Sequence, residues 1–129
     1  MGLAVSDELM LTAQPLPTYR RKGWRQDLAH LQRLVAAWEV GEVVIGLPKH
    51  MGGAVGPQAS RAQEFAEKMQ EAFLIPVTLW DERLTTAQAE RTLIQAGLRR
   101  ARRRQVIDSV AALLILQNYL DRRGRERRE

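Results

Sequence analysis

The sequence predicts an α/β protein with a mixed-direction sheet flanked by helices, on three observations. Two short apolar stretches near the start read as a hairpin, two compact β-branched runs alternate with amphipathic helical segments, and a pair of carboxylates closes the second run. A chain of 129 residues, 45% of them hydrophobic, is long enough for one domain with its own core.

Residues 3–5 and 9–16 flank Ser6-Asp7-Glu8 and form the predicted hairpin, which ends at Pro15-Leu16-Pro17. Trp24, Leu28, Leu31, Val35 and Trp38 recur at helical spacing, so an amphipathic helix follows, with its aromatic ends in the core and Gly41 as its stop. Residues 42–46, Glu-Val-Val-Ile-Gly, carry no polar residue inside the run and predict a strand buried on both faces and packed in parallel. After a glycine-containing loop, Pro57 opens a helix whose Ala62, Phe65, Ala66, Met69 and Phe73 share a face. Residues 77–80 form the next strand, and a helix over about 86–96 ends at Gly97. A basic connector, Arg99-Arg100-Ala101-Arg102-Arg103-Arg104, then leads to a last helix, apolar around most of its circumference from Val106 to Leu116 and expected to be well buried. The predicted division is a domain over residues 1–121 and a basic, disordered tail over 122–129.

Charge is unevenly spread. Residues 1–97 hold 10 basic and 11 acidic side chains, whereas residues 98–129 hold 10 arginines and 4 acids. A positive surface attracts polyanions, nucleic acid above all, although a solvated helix end would show the same composition. The absence of cysteine excludes disulfides and zinc-thiolate sites, and two histidines, His30 and His50, are too few for a histidine-built zinc centre. Hard cations held by carboxylates, Mg2+ or Mn2+, are the natural alternative. No apolar run approaches the ~20 residues needed to span a bilayer, and the first residues lack a leader pattern. A soluble, cytoplasmic protein without membrane contact is expected.

The strand over 77–80 runs directly into Asp81 and Glu82, and Thr85 with Gln88 forms a capping-box spacing that starts the next helix. The carboxylates thus fall at the carboxyl end of a strand, the edge where α/β proteins bind ligands, and strand alternation lets only one of them face a given site. The alternative is a surface ion pair with Arg83. Asp108 lies near the start of the last helix, with small Ala111 and Ala112 on its side; it either meets a cation at a buried position or complements the helix dipole. Two-metal nucleases need carboxylates converging on divalent ions about 4 Å apart. The loop of Lys49, His50, Gly52, Gly53 and Gly56 offers phosphate contacts or is merely flexible, and neither Walker nor dinucleotide glycine spacing is present.

The strings Ala4-Val5-Ser6-Asp7, Thr12-Ala13-Gln14-Pro15-Leu16, Gly46-Leu47-Pro48, Trp80-Asp81-Glu82-Arg83-Leu84-Thr85-Thr86, and Asp108-Ser109-Val110-Ala111-Ala112 followed by Leu116-Gln117 occur in one order along almost the whole chain. In that order the chain resembles the YqgF family, the pre-16S rRNA nuclease or Holliday-junction-resolvase-like proteins. The resemblance implies an RNase H-like fold and a divalent-metal nuclease acting on structured nucleic acid, precursor rRNA or branched DNA, with a role in trimming the 5′ end of pre-16S rRNA. It further implies metal ligation by Glu82 and Asp108, Asp81 as a supporting catalytic acid, and backbone contacts from Lys49, His50, Arg83, Arg99, Arg100, Arg102, Arg103 and Arg104. A monomer or a homodimer is compatible with this reading.

Family members usually begin with an additional apolar strand carrying Gly-Leu-Asp-x-Gly, whose aspartate is a metal ligand. The segment around Met1 and Asp7 aligns instead with the second strand, so Asp7 is assigned to the hairpin and not to the missing ligand. The first strand is central in this fold, and its loss would leave neighbouring backbone groups unpaired. The expectation is therefore that the native gene starts upstream, and translation of the DNA preceding Met1 checks it. The family's aspartate near Gly52 is also absent. A catalytically inactive nucleic-acid-binding module is the competing expectation.

Overall fold

The computed structural model describes residues 1–47, 57–81 and 85–128. Among them, β1 (Leu3–Ser6), β2 (Ala13–Leu16), α1 (Trp24–Ala37), β3 (Val43–Leu47), α2 (Pro57–Phe73), β4 (Val77–Asp81), α3 (Thr85–Gln95) and α4 (Arg100–Arg128) follow one another. This is the predicted mixed α/β order. The chain divides into two compact units, one made of Met1–Tyr19 with Leu84–Glu129 and the other of Arg20–Arg83. Among the described residues no helix is long and apolar enough to cross a membrane.

In the first unit β1 and β2 pair antiparallel, with Leu3 opposite Leu16 and Ser6 opposite Ala13. Asp7 builds the turn between them. Its Oδ1 accepts the Leu11 and Thr12 N–H groups at 2.8 and 3.2 Å, and its backbone N–H donates to the Thr12 carbonyl at 3.1 Å. This local acceptor geometry is what Asp supplies at turns, and it assigns Asp7 to the hairpin as the sequence predicts.

The hairpin lies on α4, which also packs against α3. Gln117 joins the layers: its Oε1 accepts the Ala13 N–H at 2.9 Å, while its Nε2 donates to the Leu11 carbonyl at 3.0 Å and to Asp121 Oδ1 at 2.9 Å. The strand start is held independently, the Met1 ammonium donating to the Tyr19 carbonyl at 2.7 Å and the Tyr19 N–H to the Met1 carbonyl at 2.9 Å. Among the described residues, Leu93 and Leu120 are the buried apolar ones of this unit. Gly97, at φ 79°, closes α3 through Gly97 N–H to Ile94 O and Leu98 N–H to Leu93 O, the predicted glycine cap.

In the second unit β3 and β4 pair in parallel, Val43 opposite Val77 and Leu47 opposite Asp81. Pro57 opens α2 as expected, and Phe65, Ala66 and Met69 form the core with Leu31 of α1. Gln70 Oε1 accepts the Val77 N–H at 3.0 Å, which ties α2 to the start of β4.

Several expectations are corrected. Residues 43–46 of β3 are half-buried, not buried on both faces, because among the described residues this ladder has two strands. Trp38 is 49% exposed and is no part of the core; it is the C-cap of α1 and lies past the helix's apolar face. Gly41 does not stop α1. The helix ends earlier, with Glu39 at φ 51°, the Glu39 N–H on Ala36 O at 3.4 Å and the Val40 N–H on Val35 O at 2.9 Å, a Schellman closure built on a non-glycine residue. α2 is likewise followed by Leu74 at φ 56°, with its side chain 87% exposed.

The largest differences concern α4. Residues 100–104 are not a connector but the first turns of the helix, since Arg and Ala both favour helical backbone and outweigh the unfavourable placement of cations at a helix N-terminus. The helix also continues through residues 122–128, where the sequence suggested disorder; Glu and Arg propensity and the anchor at Leu120 extend it. Its apolar run from Val106 to Leu116 is half-buried, because the strands and α3 cover only part of its circumference; among the described residues of the helix only Leu120, beyond the run, is buried.

Candidate metal and nucleic-acid site

Because β3 and β4 are parallel and in register, they finish side by side at Leu47 and Asp81. One edge of the ladder therefore carries both strand ends, and from it the chain continues to Lys49 and His50 after β3 and to Glu82 and Arg83 after β4. Carboxyl edges of parallel strands are where α/β proteins assemble their sites, because side chains leaving adjacent strand ends are brought within reach of one ligand. Asp81 is the last residue of β4, as the apolar run before it predicts. Glu82, Arg83, Lys49 and His50 lie outside the described residues.

Asp108 is more than two turns inside α4. The helix-dipole explanation is thereby removed, because that effect is confined to the first turn. Its side chain is exposed, contrary to the buried position expected, and among the described residues it has no hydrogen-bond or ion-pair partner. An aspartate is a poor helix former, so nothing local favours it there. A carboxylate, one negative charge shared by two oxygens, is a suitable ligand for a hard divalent cation. Among the described residues no group of three or more His, Asp or Glu side chains converges as a metal cage.

The backbone of Asp108 is nevertheless closely held. Gly2 approaches it so nearly that a Cβ on Gly2 would stand 2.0 Å from the Asp108 carbonyl oxygen, 2.4 Å from its carbon and 2.8 Å from the Ser109 nitrogen. Only glycine permits this approach. Sequence reasoning missed Gly2 and also the role of Gln117, since neither carries a local pattern announcing contact with a segment some hundred residues away.

Arg99 is exposed in the short link between α3 and α4, and Arg102 is exposed on the first turns of α4. Arg100, Arg103 and Arg104 share those turns.

A second missed cluster stands at the entry to α1. Asp27 is fully buried and accepts Arg21 Nε at 3.0 Å, the Lys22 N–H at 2.9 Å and the Gly23 N–H at 3.4 Å. The Arg21 guanidinium lies 5.0 Å from the ring centroids of both Trp24 and Phe65, and Lys68 Nζ is 4.8 Å from the Trp24 centroid. The signal available was an aspartate in the first turn of a helix preceded by Arg-Arg-Lys-Gly, which suits an acid reaching back to orphan N–H groups.

A hairpin, a helix, two parallel strands separated by a helix, and two closing helices, with acids at a strand end and on the last helix, define an α/β protein of the RNase H-like class. Within it, the chain belongs to the family described as RuvX, Holliday junction resolvase, whose model matches residues 1–122. A protein of Pelotomaculum thermopropionicum named "Putative pre-16S rRNA nuclease" is 50% identical over 130 residues, covering 100% of this chain and 84% of its own length. A protein of the same name from Moorella thermoacetica is 52% identical over 124 residues, covering 96% and 89%. Another, from Thermoanaerobacter pseudethanolicus, is 48% identical over 122 residues, covering 94% and 88%.

Proposed function

We propose that this protein is a divalent-metal-dependent nuclease that hydrolyses phosphodiester bonds of structured nucleic acid, acting in the cytoplasm on the 5′ end of pre-16S rRNA. The observation that carries the reading is Asp108, an exposed carboxylate without a described partner, more than two turns into a helix whose backbone Gly2 holds, in a chain of this family. The names of relatives around 50% identical over nearly the whole chain support it.

In this reading residues 1–121 are the RNase H-like domain, and Glu82 and Asp108 hold Mg2+ or Mn2+, with Asp81 beside them as the supporting acid. A divalent ion bound there supplies water activation and neutralises charge at the departing 3′ oxygen. The protein's own share is placement. β4 ends at Asp81 on the edge of the parallel ladder, Glu82 follows it in sequence, and α4 carries Asp108 on the helix that packs against the hairpin. Lys49, His50, Arg83 and the arginines at 99, 100, 102, 103 and 104 attract and orient phosphates, which steers a polyanion toward the acids.

Cleavage of a structured RNA carrying the pre-16S 5′ leader, or of branched DNA, is measured with magnesium, manganese and chelator. The expected result is metal-dependent cleavage that falls at least a hundredfold in Glu82→Ala and in Asp108→Ala, with binding kept. Salt-sensitive binding without cleavage, unaffected by either substitution, would instead make the chain a catalytically silent nucleic-acid-binding module.

A further inference from the structure

The entry to α1 is more cationic than its structural role requires. Asp27 neutralises Arg21, and both are explained by the acid's bonds to the Lys22 and Gly23 N–H groups ahead of α1 and by the guanidinium lying against the neighbouring Trp24 and Phe65 rings. Lys68 is not explained in this way. Its ammonium sits over the same indole 4.8 Å from the centroid, and among the described residues no carboxylate pairs with it. Glu64 lies four residues before Lys68 on α2, a spacing that suits an ion pair, yet the lysine is on the ring instead. Two cations are thus held on one aromatic surface with a single counter-ion between them, and that counter-ion is fully buried.

Around this pair the segment Arg20-Arg21-Lys22-Gly23-Trp24-Arg25 adds Arg20, Lys22 and Arg25, all exposed and none paired with a described carboxylate. Packing like charges together raises the energy of the free protein, and a polyanion is the partner that relieves it. Glu64 and Glu71 flank Lys68 on α2 and would repel phosphates, so the favourable surface is confined to the α1 side.

We propose that Arg20, Lys22, Arg25 and Lys68, organised around the cluster of Arg21, Trp24 and Phe65, form a second contact for nucleic acid that grips the phosphodiester backbone, additional to the arginines at the start of α4. It rests on the reading above that the substrate is nucleic acid, and it adds a surface to which no cleavage role is assigned. Arg21 and Trp24 act as the frame and the four outer cations as the grip. A frame of stacked rings loses little freedom on binding, whereas free lysines and arginines would have to be ordered by the ligand.

The test is equilibrium binding of the full chain to a fluorescent structured RNA, without magnesium so that cleavage plays no part, over a series of salt concentrations. The variant is Arg20→Gln/Lys22→Gln/Arg25→Gln/Lys68→Gln, which leaves Arg21, Asp27 and Trp24 in place, with Arg20→Lys/Arg25→Lys as the charge-keeping control. The expected result is a Kd raised tenfold or more, with the slope of log K against log salt reduced by about three, since each of the four phosphate contacts removed contributes somewhat less than one to that slope. The control should bind as the parent does.

An unchanged Kd and slope in a quadruple variant with the parent's circular dichroism would overturn the proposal. A matched DNA duplex in a second arm reports whether the contact is to backbone phosphates in general, as proposed. Equal loss of affinity for polyglutamate would show a generic anion patch and overturn the assignment to nucleic acid. If the variant binds weakly but the parent never cleaves with metal, the nuclease reading fails and this surface stands; if the parent cleaves and the variant binds normally, the reverse holds.

Discussion

Replacing Gly2 with alanine tests how tightly the strand start is held on the helix that carries Asp108. The added Cβ would lie 2.0 Å from the Asp108 carbonyl oxygen, and ordinary contact begins at 3.4 Å, so the two segments must separate by 3.4 − 2.0, roughly 1.4 Å. All three atoms it would meet belong to backbone, so no rotamer change relieves the clash. The strand cannot simply swing away, because Met1 is bonded to Tyr19 on one side and Gln117 ties the hairpin to α4 on the other. Overpacking of this kind costs about 1–3 kcal/mol. Urea denaturation followed by far-ultraviolet circular dichroism should therefore show a lower midpoint at unchanged slope, with faster amide exchange in β1. A Gly2→Ala protein within about 0.5 kcal/mol of the parent, inside the range of ordinary surface changes, would refute the close approach and with it the claim that this contact holds the backbone of Asp108.

Other substitutions have equally definite outcomes. Asp27→Ala should cost about 1–3 kcal/mol, at the lower end because Arg21 is 48% exposed at its side chain and rehydrates, and should alter the fluorescence of neighbouring Trp24. Gln117→Leu keeps the bulk but removes the partner of the Leu11 carbonyl and the Ala13 N–H, which water can partly replace; a loss of about 0.5–1.5 kcal/mol by chemical denaturation is expected. Glu39→Gly should raise stability by roughly 0.5–1 kcal/mol, since Glu39 occupies the left-handed region at φ 51° that glycine adopts without strain. A melting temperature unchanged or lowered by it would show that the closure of α1 depends on the glutamate side chain.

The elements themselves were legible, and for identifiable reasons. The β-branched run at 43–46 and the run ending at Trp80 mark β3 and β4, and Pro57 marks the start of α2, because each is a local preference that packing reinforces. Gly97 was legible as a cap for the same reason, whereas Glu39 and Leu74 were not: a non-glycine residue is carried into the left-handed region by the hydrogen bonds of the closing turn. The start of α4 was hidden because cations at a helix N-terminus contradict the dipole rule while satisfying helix propensity. The motif around Asp81 and Glu82 and the string beginning at Asp108 pointed to the candidate acids. The exposure of Asp108, its depth in the helix and the glycine against its backbone are consequences of tertiary packing that no local pattern encodes.

The way the two units divide the polypeptide bears on its biosynthesis. Arg20–Arg83 is continuous and can condense as soon as it leaves the ribosome, whereas the hairpin that precedes it finds its support only later, Ala13 waiting for a glutamine 104 positions on. Closing so long a loop is slow but adds little to the equilibrium penalty, which grows only logarithmically with length. Until then these two strands remain uncovered, and a ribosome that stops before Gln117 releases a chain in which the hairpin, far from the point of arrest, is left without its partner.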